Sequence, residues 1–186
     1  MPVDFSNLDF HKFVDQKLSE KQFRITLLNW EFMENRLKEI MDFVNAIRTE
    51  YSGMYGWRAE EKDYFMNGLV DKWRYSFAIL DSAGRISLVN LSSLYGQSVH
   101  MHCTYTAPAL RGLGLGKLHM LKLSQTTIDN GLNLMEGFWP KLNNGSVILH
   151  LQMGWKIDLV DQAKQCVKLV GNALTVREKT YGLINK

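Results

Sequence analysis

The stretch Thr106-Ala107-Pro108-Ala109-Leu110-Arg111-Gly112-Leu113-Gly114-Leu115-Gly116-Lys117 joins a strand-like pattern to a helical one, and its reading decides the fold. Upstream, Val99-His100-Met101-His102-Cys103-Thr104-Tyr105-Thr106 has the alternation of a strand. Downstream, Leu115, Leu118, Leu121 and Ile128 mark one face of a helix that stops near Asn130-Gly131, where glycine supplies a left-handed cap. Glycines between a strand and a helix start make an anion site. The first amides of the helix lack intrahelical partners, the dipole is positive there, and no side chain blocks a phosphate. Two familiar phosphate motifs do not fit. A dinucleotide fingerprint needs glycine at Lys117, and a P-loop needs Ser or Thr at Leu118.

Working outward, residues 22–28 alternate around a β-branched centre and read as a first strand. Over residues 31–51, Phe32, Met33, Leu37, Ile40, Met41, Val44 and Ile47 recur at helical spacing. Ser52-Gly53 and Gly56 interrupt the pattern, and residues 59–73 resume it as a second helix. Residues 75–80, a turn at Asp81-Ser82-Ala83-Gly84, and residues 86–91 form an antiparallel hairpin. After the long helix come a strand at 132–139, a segment at 143–153 that reads either as a short helix capped by Asn143 or Asn144 and closed by Gly154 or as a hairpin turning at Asn144-Gly145, a strand at 155–160 and one further strand candidate at 166–170. This order is that of one α/β (α+β) unit without repeats or linkers, with residues 1–20 as an N-terminal extension.

Composition narrows the function classes. With 186 residues and 46% hydrophobic content the chain suits a single domain, and a formal charge of +3 without basic blocks argues against nucleic-acid wrapping. Met1-Pro2-Val3-Asp4 opens no basic or apolar leader, and no later stretch is apolar for long enough to span a bilayer, so a cytoplasmic protein is expected. Cys103 and Cys166 lack neighbouring cysteines and read as reduced, packed thiols. No metal site is expected: His100-x-His102 has no third ligand.

The pattern that fits the glycine loop is Arg-x-x-Gly-x-Gly, at Arg111, Gly114 and Gly116. Downstream, Asn143-Asn144-Gly145-Ser146-Val147-Ile148-Leu149-His150-Leu151-Gln152-Met153-Gly154-Trp155 fits Asn-x-x-Ser-x-x-Leu-His-x-x-x-Gly-aromatic. Both motifs, in this order and in this element context, resemble the GNAT superfamily of N-acetyltransferases. His at position 150 resembles the phosphinothricin acetyltransferase branch. The resemblance implies a mixed, mostly antiparallel sheet of six to seven strands flanked by about four helices. It implies acetyl-CoA as acyl donor, its pyrophosphate held by the amides of Gly112, Leu113, Gly114, Leu115, Gly116 and Lys117. Main-chain groups of Thr104, Tyr105 and Thr106 pair with the pantetheine arm like an added strand in this family, and Asn143 and Ser146 join the cofactor site.

Acyl transfer to an amine needs a neutral amine, support for the growing oxyanion and a proton for the departing thiolate. The resemblance implies strand amides near Thr104, Tyr105 and Thr106 as oxyanion donors and His150 as general acid. The base is sought among Glu136, His102 and His100, or in a water chain or a group from another region, with His100, His102, Thr104 and Thr106 expected on one strand face. Ser146 lacks a nucleophile elbow and reads as structural. For the amine acceptor, Tyr51, Tyr55, Trp57, Glu60, Glu61 and Asp63 offer aromatic and acidic groups. The expected activity is direct attack by a primary amine of a small molecule in a ternary complex. A protein or peptide N-acetyltransferase and a non-catalytic acyl-CoA-binding or sensing module are the alternatives, and a homodimer is compatible with all of them.

Overall fold

The computed structural model describes Phe5, residues 8–51 and residues 59–185. Among the described residues seven strands form a single sheet in the order β1-β2-β3-β4-β5-β7-β6. They are β1 (Phe23–Leu27), β2 (Phe77–Asp81), β3 (Ile86–Tyr95), β4 (Ser98–Thr106), β5 (Leu134–Pro140), β6 (Lys156–Asp161) and β7 (Cys166–Asn172). All neighbours pair antiparallel except β4 and β5, which run parallel. The expected sheet is present at its upper strand count.

Seven α-helices lie among the described residues, against about four expected: α1 (Phe10–Ser19), α2 (Trp30–Arg48), α3 (Lys62–Met66), α4 (Lys72–Tyr75), α5 (Leu115–Asp129), α6 (Asn144–Gln152) and α7 (Ala173–Ile184). The excess has local causes. Within the N-terminal segment, Asp9 caps α1, whose Phe10, Val14 and Leu18 recur every fourth residue and pack on Leu115, Leu118 and Leu121 of α5. Helix α7, absent from the sequence reading, starts on an Asn172 cap and buries Ala173, Val176 and Thr180. The helix expected over residues 59–73 is broken. The buried Lys72 ammonium donates to the carbonyl oxygens of Tyr64 and Phe65 and to Asn67 Oδ1, so a single cation satisfies the end of α3 and starts α4.

Helix α2 covers one face of the sheet, where Ile40, Val44 and Ile47 meet Ala78, Val89, Leu91, Cys103 and Tyr105. Helices α1, α5 and α7 cover the other, where Met120, Leu123 and Val176 meet Val99, Met101, Met135 and Leu169. Both cysteines are free and buried. No helix among the described residues is long and apolar enough to cross a membrane.

The site depends on how β4 changes sides. Leu91 of β3 lies opposite Cys103 and Ser92 opposite Met101, so His102 is an extra residue in a β-bulge. Before the bulge the odd residues Val99 and Met101 face α5; after it the odd residues Cys103 and Tyr105 face α2. Thr104 and Thr106 therefore turn toward α5, and His100 toward the α2 side. This corrects the expectation that His100, His102, Thr104 and Thr106 share a face, because strict alternation holds only in an unbulged strand.

Strand β5 follows β4 only from Ser98↔Leu134 to Met101↔Gly137. At that last pair a side chain on Gly137 would press on Trp139 and on the Met101 carbonyl, so glycine permits the close approach. Beyond it, residues 102–106 have no β5 partner and the strands part. The His102 carbonyl oxygen accepts from the Tyr64 hydroxyl, and the main-chain groups of residues 103–106 that point away from β3 are open to another chain-like partner.

Candidate active site

A cavity of about 540 Å³ opens where β4 and β5 part, between α5 and α6. Its wall includes Thr104, Tyr105 and Thr106 of β4; Arg111, Gly112, Gly114, Leu115, Gly116 and Lys117 of the glycine loop; and Asn143, Ser146 and His150 at α6. All the residues expected at the cofactor line it except Leu113, which is 45% exposed and turned outward.

The loop has the geometry its glycines imply. Gly112 has φ +86° and Gly114, the N-cap of α5, has φ +84°, conformations costly for residues with a Cβ. A Cβ on Gly112, Gly114 or Gly116 would project into open space, the volume an approaching ligand needs. The amides of Gly112, Gly114, Leu115 and Gly116 have no acceptor among the described residues. Side chains of the loop are otherwise engaged: the Arg111 guanidinium pairs with the Glu50 carboxylate at 3.2 Å, and Lys117 Nζ donates to the Leu183 carbonyl at the end of α7. What the loop presents to the cavity is thus mostly main chain.

At α6, Asn143 Oδ1 accepts from the Ser146 amide and caps the helix. His150 lies one turn on, 5% exposed, its ring 4.5 Å from that of Trp139 and 5.3 Å from that of Trp155. Nδ1 stands 2.7 Å from the Ser146 carbonyl oxygen, which only accepts, so Nδ1 is the protonated nitrogen. Burial pushes the ring pKa down to about 4. The neutral ring therefore presents Nε2 as a bare acceptor, without a partner among the described residues.

Helix α5 brings a residue the sequence reading passed over. His119, one turn beyond Leu115, lines the same cavity, is 0% exposed and has neither nitrogen bonded among the described residues. Burial, and then the nearby His150, push its pKa down to about 3. The available signal was a polar residue within the buried stripe of the helix that follows the loop.

A narrower gap of about 30 Å³ adjoins the cavity, sharing Thr104, Tyr105, Asn143 and Ser146 with it and adding His102, Phe138 and Pro140. His102 Nε2 lies 2.7 Å from Ser93 Oγ, and burial, with His100 and Lys72 nearby, pushes its pKa down to about 4. Its ring is 4.9 Å from that of His100, and the Tyr64 hydroxyl donates to its carbonyl oxygen. His100 Nδ1 is 3.1 Å from Glu136 Oε1, its register partner on β5, while Lys168 Nζ is 2.8 Å from Glu136 Oε2. Burial opposes ionisation of Glu136, but the bonds from Lys168 and His100 outweigh it and hold the carboxyl below its usual range. Glu136 lines neither opening and is a weak base.

Of the residues expected at the acceptor, Tyr51 lines the large cavity. Tyr55 and Trp57 lie outside the described residues. Glu60 is committed to the buried Arg48, 2.6 Å away, a partner that its sequence position does not disclose. Glu61 and Asp63 are exposed at the start of α3. Among the described residues, no three His, Cys, Asp or Glu side chains group as metal ligands.

No protein-family model matches the chain, and no curated protein matches it in sequence. Solved structures resemble it in shape. An acetyltransferase from Streptococcus agalactiae superposes with a TM-score of 0.66 at 13% identity, over 82% of this chain and 99% of its own. An acetyltransferase of the GNAT family from Staphylococcus aureus gives 0.64 at 12% identity, over 81% and 99%. PaiA N-acetyltransferase from Thermoplasma acidophilum, solved in complex with coenzyme A, gives 0.61 at 11% identity, over 81% and 98%. The fold of this chain is the GNAT acetyltransferase fold.

Proposed function

We propose that this chain is an acetyl-CoA-dependent N-acetyltransferase, a single domain that acetylates the primary amine of a small molecule by direct attack in a ternary complex. The observation that carries this reading is the cavity at the β4–β5 split, with free glycine-loop amides at one end and a gap to His102 at the other. The residues fit the donor. Unpaired amides at the N-terminus of a 15-residue helix suit a diphosphate. The open main-chain groups of residues 103–106 suit an extended arm that carries amides. Acetyl-CoA supplies the activated acyl thioester; the chemistry left to the protein is orientation and proton management.

His102 is the base in this reading. With Nε2–H given to Ser93 Oγ, Nδ1 keeps a free lone pair; burial holds the ring neutral at pH 7, and its place on the gap, which Glu136 lacks, rather than its basicity singles it out. Glu136 orients His100 beside it. His150 takes the role of acceptor toward the donor arm in place of the general acid expected from the sequence, and the departing coenzyme A thiolate takes its proton from solvent at the open side of the cavity.

The test is turnover. Thiol release from acetyl-CoA is followed across amino acids, polyamines, aminoglycosides and peptides. Release with small amines supports the proposal, and release with peptides alone moves the acceptor class. No release above background hydrolysis with any of them, in a protein that binds coenzyme A, identifies a binding module instead.

A further inference from the structure

Histidine is a costly choice at position 119. The side chain is fully buried on α5 beside the Phe77 ring, 6.5 Å away, and leaves two polar nitrogens unbonded among the described residues. Leucine, which α5 uses at positions 115, 118, 121 and 123, would fill such a place without that cost. A buried orphan of this kind requires a partner, and at a cavity wall that partner is a ligand group or a water that a ligand group displaces. The wall around it is apolar, with Met120, Leu149 and Met153, so the ligand segment here is a methylene chain with few polar groups.

The two imidazoles in this wall offer different things. Both stay neutral at pH 7, since burial pushes His119 to about 3 and His150 to about 4. A neutral imidazole has one N–H and one lone pair. His150 has given its N–H to the Ser146 carbonyl, so only the Nε2 lone pair is free. His119 has given nothing, so its N–H is free as well. One free donor on α5 and one free acceptor on α6 match the C=O and N–H of a secondary amide.

We propose that His119 and His150 bind an amide of the pantetheine arm, His119 donating to its carbonyl oxygen and Nε2 of His150 accepting from its N–H. His119 is then a binding residue for the donor that no glycine-loop motif announces. The inference rests on the reading that coenzyme A occupies the cavity.

Calorimetric titration of the full chain with coenzyme A and with 3′,5′-ADP, which lacks the pantetheine arm, tests it in wild type, His119→Leu and His119→Gln. His119→Leu is expected to weaken coenzyme A about tenfold, to leave 3′,5′-ADP unchanged, and to raise the Tm of the ligand-free protein. His119→Gln, which keeps a donor and an acceptor, is expected within about threefold of wild type. Unchanged coenzyme A binding in His119→Leu, or equal weakening of both ligands, overturns the assignment. Wild type that binds neither ligand overturns the function proposed above as well, which separates the two failures. A readout free of substitution is the ring ¹⁵N resonances of both histidines, which should move with coenzyme A and not with 3′,5′-ADP; resonances that stay put with coenzyme A also overturn it.

Discussion

On the α5 side of the β4–β5 split, the groups available to a ligand are main-chain amides of residues 112–116 and two neutral, buried imidazoles. On the α2 side, polar side chains are tied to one another: Ser93 to His102, His100 to Glu136, Glu136 to Lys168, and Lys168 to Asp158. The first arrangement presents fixed dipoles and leaves them unspent, as binding a large anion requires. The second spends its charges internally and keeps one histidine neutral beside the gap, as proton transfer requires. Binding and chemistry are therefore expected to separate in mutants, one side altering affinity and the other turnover.

The largest effect is expected at the loop. Gly114→Glu places a Cβ on a residue with φ +84° and a carboxylate in the space proposed for the diphosphate. Coenzyme A affinity should fall by more than about 10³-fold in calorimetry. Retained binding would remove the loop from the donor site. On the other side, His102→Gln should lower kcat about 100-fold while leaving the Kd for coenzyme A unchanged. If affinity fell in parallel, the division between the two sides would be lost.

Both sides share a pH signature. His102, His119 and His150 have folded pKa values depressed to about 4, 3 and 4 from 6.5. Below pH 6.5 the unfolded chain takes up protons that the folded protein refuses, so stability is full above 6.5 and is lost as pH falls toward 4 and 3. Each histidine contributes at most about 1.4 kcal/mol per pH unit in that window. Urea unfolding between pH 7.5 and 5 should show the decline, with a shallower slope in His119→Leu; a flat wild-type profile would contradict the buried neutral rings. The smallest effect belongs to Glu136→Gln, expected to change kcat by less than about threefold, because that carboxylate is held by His100 and Lys168. A loss comparable to that of His102→Gln would make Glu136 the base.

What was legible in the sequence is what the chain decides locally. The α5 start at Gly114, its stop at Asn130-Gly131 with Gly131 at φ +73°, the Asn143 cap and Gly154 at φ +92° are each set by a few adjacent backbone angles and one short side chain. A motif records such geometry directly, so the loop and the α6 segment were both found, although Gly145, Leu149 and Met153 of the α6 wall were not assigned to the site. Helices α1 and α7 were missed although their caps are local, because their apolar stripes are short and gain weight only against α5.

The tertiary structure decided the rest, because it depends on partners far along the chain. Which face His100 takes follows from an extra residue opposite β3. Whether Glu60 and Glu136 are free follows from Arg48, His100 and Lys168, reached across 12, 36 and 32 positions of sequence. That the proton of His150 sits on Nδ1 follows from one carbonyl a helical turn away, and that His119 shares its cavity follows from the packing of α5 beside α6. The sequence alone determined a strand, a glycine turn and a helix start suited to a diphosphate. Only the fold, by burying some polar groups with partners and others without, decided which side chains remain free to meet a ligand.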